Sequence, residues 1–232
     1  MILRGFALRI EDSGEDDLNL IFFSSEQGKI RILVKGARKP LSKLRGLAQF
    51  FVLSKLAVIK GKRNNHLIGG EEIKSFRNIF KSYKKIKESS FLLSVLDNFF
   101  PFLKKDHKIF VLTFKALEKI NSLKEEKSEI IASAFLIKFL AFFGFKPELK
   151  RCLVCHKTLK DNFLFFDFKE GGTICLACRR KNVHRQEISK EILDILQKLL
   201  YNDFNSLAMY HFKEENLKIA REIIEKFLIW RK

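Results

Sequence analysis

The sequence predicts an α+β protein: an N-terminal five-stranded OB-fold barrel, then a helical domain with an inserted four-cysteine zinc module. Three observations predict it. Short β-like segments separated by turn residues fill positions 1–75. From about Phe76 the apolar spacing changes to the helical period. All four cysteines of the 232-residue chain fall in two C-x2-C pairs, nineteen residues apart. The expected division is therefore 1–75 for the barrel and 76–232 for the helices, with the cysteine module at about 150–182.

The first strand is expected over Ile2–Ile10, ahead of a polar turn at Glu11–Asp17 that contains Gly14. Leu18–Phe23 gives a second strand, and Ser24–Gly28 a tight turn. In Lys29–Lys35 the residues Ile30, Ile32 and Val34 share one side, against Lys29, Arg31, Leu33 and Lys35 on the other. That alternation marks a half-buried antiparallel strand. Gln49–Lys60 and His66–Ile73 complete five strands, a number that suits a small closed barrel. Phe50 and Phe51 lie in an apolar strand segment, so core packing is favoured over base stacking for both.

Helices are expected over Phe76–Ile86, Phe91–Leu103, Ile109–Ile120 and Glu129–Phe143. Pro101 marks an end or a kink of the second. Gly144 and Pro147 stop the fourth. After the cysteine module, Ile188–Leu200 and Leu217–Trp230 are amphipathic.

The separation of the knuckles Cys152/Cys155 and Cys175/Cys178 falls inside a zinc-site pattern. Four thiolates close a tetrahedral shell around one Zn2+ and leave no open position, so the ion is expected to be structural. A disulfide would need an oxidising compartment. A redox C-x-x-C would usually occur once, at a βα turn. Zinc is favoured over both. His156 and His184 flank the knuckles and could replace a thiolate, but with four cysteines at hand they are expected to be bystanders. Gly171 and Gly172 suit the sharp turns that such a loop needs.

The formal net charge is +18 and the pI about 9.8, which implies an anionic partner. Between Gly28 and Gly70 there are eleven Lys or Arg and no acid. A solvated surface normally mixes signs, so this one-signed span points to nucleic acid. The candidate contacts are Lys29, Arg31, Lys35, Arg38, Lys39, Lys43, Arg45, Lys62 and Arg63. A possible secondary basic patch is Arg179, Arg180, Lys181 and Arg185, just after the last cysteine.

Several classes are disfavoured. No phosphate-binding G-x-x-x-x-G-K-[ST], G-x-G-x-x-G, G-x-S-x-G or H-E-x-x-H is present, so no enzyme is expected. Residues 1–20 carry five acids and no long apolar stretch, unlike an export signal. The apolar run Ile130–Phe145 contains Lys138 and falls short of the ~20 residues of a membrane span. The sequence thus predicts a soluble, cytoplasmic protein.

Several segments together resemble the RecO family of bacterial DNA repair proteins. They are Ala7-Leu-Arg-Ile, Gly14-Glu-Asp-Asp-Leu18, Ser25-Glu-Gln-Gly-Lys29 and Val34-Lys-Gly-Ala-Arg-Lys39. Later come Phe142-Phe-Gly-Phe-Lys-Pro147, Arg151-Cys-Leu-Val-Cys155 and Gly171-Gly-Thr-Ile-Cys-Leu-Ala-Cys178. The chain departs from many relatives in having His156 where they have Gly, and some relatives lack the cysteines. The resemblance implies the OB-fold, the helical domain and the zinc module. It also implies a recombination mediator that binds single- and double-stranded DNA and anneals complementary strands. Its implied partners are RecR and the acidic C-terminal tail of the single-strand-binding protein, in loading RecA onto DNA coated by that protein. Two other classes remain open from the residues: a zinc-containing OB-fold RNA-binding protein, and an interaction scaffold for acidic protein tails.

Overall fold

The computed structural model describes residues 1–62, 64–179 and 184–231. Two compact units make up the chain, Met1–Ser128 and Glu129–Lys232.

The first unit is built on a closed barrel of β1 (Ile2–Ser13), β2 (Asp17–Ser24), β3 (Gly28–Val34), β4 (Val52–Lys60) and β5 (Asn65–Ser75). The order around it is β1-β2-β3-β5-β4, an OB-type arrangement. β1 is long enough to pair antiparallel with both β2 and β4, with a register shift between Ala7 and Arg9. Parallel pairing of Ile32 with Asn65 and Leu33 with His66 joins β3 to β5. The interior is filled by Leu3, Leu20, Phe22, Ile30, Ile32, Val34, Leu56 and Val58. Ile30, Ile32 and Val34 among them are the alternating set expected of β3.

The continuous apolar run of β2 has a different cause: both of its faces are buried. Phe23 meets Phe100 and Phe110 at 5.0 and 6.1 Å, and Phe6 of β1 meets Phe110 at 5.6 Å. Phe100 is the C-cap of α1 (Tyr83–Phe99) and Phe110 lies in α2 (His107–Ser122), so the end of α1 and the start of α2 cover that outer wall.

One expected helix is divided. Phe76–Ile86 becomes a 3-10 turn over Arg77–Lys81 and the start of α1. Ser82 separates them in extended conformation, and its hydroxyl accepts from the Lys85 N–H. Of the helical stripe, Ile79 is buried but Phe80 and Tyr83 are exposed, so no single face was being specified. α1 stops at Phe99 because Phe100, ahead of Pro101, is pushed to extended backbone. Phe50 and Phe51 precede β4 rather than lying in it; Phe51 is buried, whereas Phe50 is partly exposed.

The second unit begins one residue into α3 (Ser128–Phe142), which is buried along nearly its whole length, and Gly144 turns the chain with φ +94. A three-stranded antiparallel sheet follows, which the sequence reading lacks: β6 (Phe163–Asp167), β7 (Gly172–Cys175) and β8 (Arg185–Ser189), in the order β7-β6-β8. α4 (Lys190–Tyr201), α5 (Phe204–Met209) and α6 (Glu214–Trp230) close the unit. The short α5 was also unanticipated. Asp203 caps it by accepting the N–H groups of Asn205 and Ser206 at 2.7 and 3.0 Å.

Candidate metal centre and nucleic-acid interface

The four cysteine sulfurs lie within 4.8 Å of one another. Cys155 and Cys175 are 3.8 Å apart at Sγ, and none of the four is disulfide-bonded. Zn–S bonds of ~2.3 Å give a tetrahedral edge of about 3.8 Å, so the donor set is of the right size for a thiophilic dication.

Each knuckle has a local cause. The first reverses tightly after Cys155: His156 adopts the left-handed conformation, φ +58, and its N–H bonds to the Cys152 carbonyl at 2.9 Å. Glycine takes that conformation freely, whereas a side chain there is strained. The second knuckle leaves β7 as a 3-10 turn over Leu176–Cys178, with the Leu176 N–H held by Asp161. Of the two glycines before it, Gly171 has φ +76. Gly172 is needed for space, because a Cβ there would lie 2.8 Å from the Glu148 carbonyl oxygen.

The thiols differ electrically. Burial pushes the Cys152 thiol up, but N–H groups of Cys155, Cys175 and Val154 point at it and bring it down to about 6. The backbone nitrogens of Val154 and Cys175 both lie 3.4 Å from the Cys152 sulfur. Hydrogen bonds with the Cys175 and Cys155 sulfurs push the Cys178 thiol up to about 12. Four thiolates cannot share this space by themselves, and a bound dication removes the conflict. His184 packs edge-on against Trp230 at 4.7 Å.

The barrel cations fall into three groups. Lys29 leaves the candidate set: it is 5% exposed, its ammonium donates to the Asp97 carbonyl at 2.6 Å, and it lies 4.4 Å from the Phe102 ring centre. Its place in the alternating pattern put it on the outer side of β3, but that side is covered near Gly28 by the chain around Phe102. Arg38 and Lys39 are exposed but paired, with Asp12 at 3.4 Å and Asp16 at 3.5 Å. Acids at the end of β1 and in the β1–β2 turn, distant in sequence, thus meet the basic loop. Arg31, Lys35, Lys43, Arg45 and Lys62 are exposed and have no ion pair among the described residues. Arg63 lies outside the described residues.

The secondary patch is not assembled as expected. Arg185 is turned inward, its Nε donating to the buried Asp167 carboxylate at 2.7 Å. Asp167 also accepts the N–H groups of Lys169 and Glu170 at 3.0 Å. Burial pushes its carboxyl up, but Arg185 and those N–H groups hold it below the usual range. Arg179 is exposed, while Arg180 and Lys181 lie outside the described residues. Sequence reading missed another group. Lys146, Lys150 and Arg151 line one cavity with Tyr201. The run Lys146 to Arg151 directly before the first cysteine was the available sign.

An OB-type barrel joined to a helical unit with a four-cysteine metal-type centre defines the class of protein. Comparison with known families agrees across both units. Residues 1–76 match the model described as Recombination protein O N terminal, and residues 83–231 match Recombination protein O C terminal. Among curated proteins, the chain is similar to the DNA repair protein RecO of Halalkalibacterium halodurans, 26% identical over 96% of this chain and 86% of that one. It is 30% identical to the DNA repair protein RecO of Pelotomaculum thermopropionicum, over 96% of this chain and 86% of that one. With that of Caldicellulosiruptor saccharolyticus it shares 27% over 97% and 90%. The chain belongs to the RecO family, whose members are DNA repair and recombination proteins.

Proposed function

We propose that this protein is a non-enzymatic recombination mediator that binds single- and double-stranded DNA and anneals complementary strands. With RecR it helps to load RecA onto DNA coated by single-strand-binding protein, whose acidic C-terminal tail it also contacts. It works in the cytoplasm, at the nucleoid. The observation that carries this reading is the exposed set Arg31, Lys35, Lys43, Arg45 and Lys62, without an ion pair among the described residues, on an OB-type barrel of a RecO-family chain.

The mechanism is electrostatic. Cations of the barrel and of the 36–46 loop neutralise phosphates of approaching strands and reduce the repulsion that slows their pairing. No covalent step is needed. With about 4–6 phosphates neutralised, log K falls with log salt at a slope of roughly −3 to −4 for single strands.

The ion of the four-cysteine centre is Zn2+, one per chain, in a structural role. Cys152, Cys155, Cys175 and Cys178 would hold it. It would tie the two knuckles together, and the closed thiolate shell leaves it no substrate position. Among the described residues no helix is long and apolar enough to cross a membrane.

A strand-annealing assay with and without single-strand-binding protein tests the proposal. Acceleration of annealing is expected in both cases, and its absence in both would overturn the reading. Equal or tighter binding to RNA of the same sequence would favour an RNA-binding role.

A further inference from the structure

We propose that the cavity beside Tyr201 is a second backbone-phosphate site, which holds a nucleic-acid strand independently of the barrel. The inference rests on the DNA-binding reading above and locates a second strand for it.

The cavity has a volume of about 370 Å3 and is lined by Lys146, Pro147, Glu148, Lys150, Arg151 and Tyr201. Three cations face it against one acid. Oε1 of that acid, Glu148, accepts the backbone N–H groups of Lys150 and Arg151 at 2.7 and 3.1 Å, so it shapes the loop. Lys146, Lys150 and Arg151 are exposed and have no ion pair among the described residues. Unpaired cations converging on one concavity attract an oxyanion.

Tyr201 positions two of them. The Lys150 and Lys146 ammoniums lie 4.6 and 5.1 Å from its ring centre. An ammonium resting on a ring keeps its N–H groups for a second partner and has less freedom to lose on meeting a phosphate. The arrangement continues along α4. Lys198, one turn before Tyr201, lies 5.0 Å from the Tyr210 ring centre and 5.8 Å from that of Phe212, and these two rings stack at 5.7 Å. Cations interleaved with aromatic rings suit a single strand, whose phosphates and bases use both. The carboxylates of an acidic peptide would use only the cations.

The cysteine centre supports this site. Arg151 bridges to Thr158 across the first knuckle, and the Cys152 N–H bonds to the Lys157 carbonyl at 2.9 Å. Closing the knuckle therefore sets the direction in which Lys150 and Arg151 leave the chain. Annealing brings together two polyanions, and a second site lets one chain hold both.

The test uses the full-length, zinc-loaded protein and a short oligothymidylate, with strands bound per chain counted by native mass spectrometry. Wild type should take two strands, and Lys146→Ala/Lys150→Ala/Arg151→Ala one, with annealing slowed about tenfold. Tyr201→Leu keeps every charge and should weaken the second binding step roughly three- to tenfold; it carries the test if the triple variant fails to fold. One strand on both wild type and triple variant overturns this inference and leaves the barrel reading standing. No strand on the wild type overturns both. An acidic peptide that displaces the second strand and binds more tightly than it does overturns the nucleic-acid assignment of the cavity.

Discussion

Opposite changes in DNA affinity are expected from two pairs of substitutions in and beside the 36–46 loop. Lys43 and Arg45 are exposed and unpaired among the described residues, whereas Arg38 and Lys39 are engaged by Asp12 and Asp16 at 3.4 and 3.5 Å. Each phosphate neutralised contributes about −0.7 to the salt slope for a single strand. Lys43→Ala/Arg45→Ala should therefore flatten the slope by about 1.4. Between 50 and 200 mM salt, that is about a sevenfold smaller loss of affinity. Asp12→Asn/Asp16→Asn should act the other way: it frees two cations and steepens the slope by up to about 1.4. Neither pair should alter thermal stability much, because exposed ion pairs contribute only about 0.2–1 kcal/mol each. Fluorescence anisotropy of a labelled oligonucleotide across a salt series reads both effects. An unchanged slope in the first variant refutes the assignment of the loop. An unchanged or flatter slope in the second refutes the idea that the turn acids compete with phosphate.

Elemental analysis should find one zinc per chain, and Cys175→Ser or Cys178→Ser should lose it and unfold the knuckles locally. Structural zinc contributes on the order of 10 kcal/mol in small modules, so metal-free protein that melts as wild type would refute a structural ion. His156→Gly should relieve left-handed strain and raise stability by up to about 1 kcal/mol in chemical denaturation, where a loss would contradict it. Burial pushes the Lys138 ammonium down to about 8, only partly offset by Asp203, and its Nζ donates to the Leu200 carbonyl at 2.7 Å. From pH 8 towards 10.5 the unfolded chain holds a proton there that the folded chain has lost, so wild-type stability should rise relative to Lys138→Met. Parallel pH profiles of the two proteins would refute this. At pH 7 the variant should be more stable by about 1 kcal/mol, less than the full shift because the side chain is partly solvated.

Much of the fold was legible because it is written in local periodicity. Ile30, Ile32 and Val34 alternate with polar neighbours, and all three are buried in the barrel. Even the less regular β2 was placed within one residue at each end. The stretch 76–86 misled because Phe80 and Tyr83 imitate a helical stripe while remaining on the surface. β6 and β7 escaped notice because they have only five and four residues, too few to establish a period. The cysteine spacing was sufficient for the cluster, because two C-x2-C turns place four sulfurs at the base of one small sheet.

The cations were counted correctly by the sequence but not sorted by it. Lys29 is held by Asp97, sixty-eight residues away, and Arg185 by Asp167 across paired strands β6 and β8. Arg38 and Lys39 meet acids from another hairpin. Lys146 and Lys150 share the ring of Tyr201, about fifty residues on, in a cavity that Arg151 also lines. By itself the sequence determined a barrel, a set of helices, a four-cysteine cluster and a strong positive charge, since each depends on spacing along the chain or on composition. Only the tertiary structure decided which charges face solvent, because that depends on which distant acid, carbonyl or ring the folded backbone brings within reach.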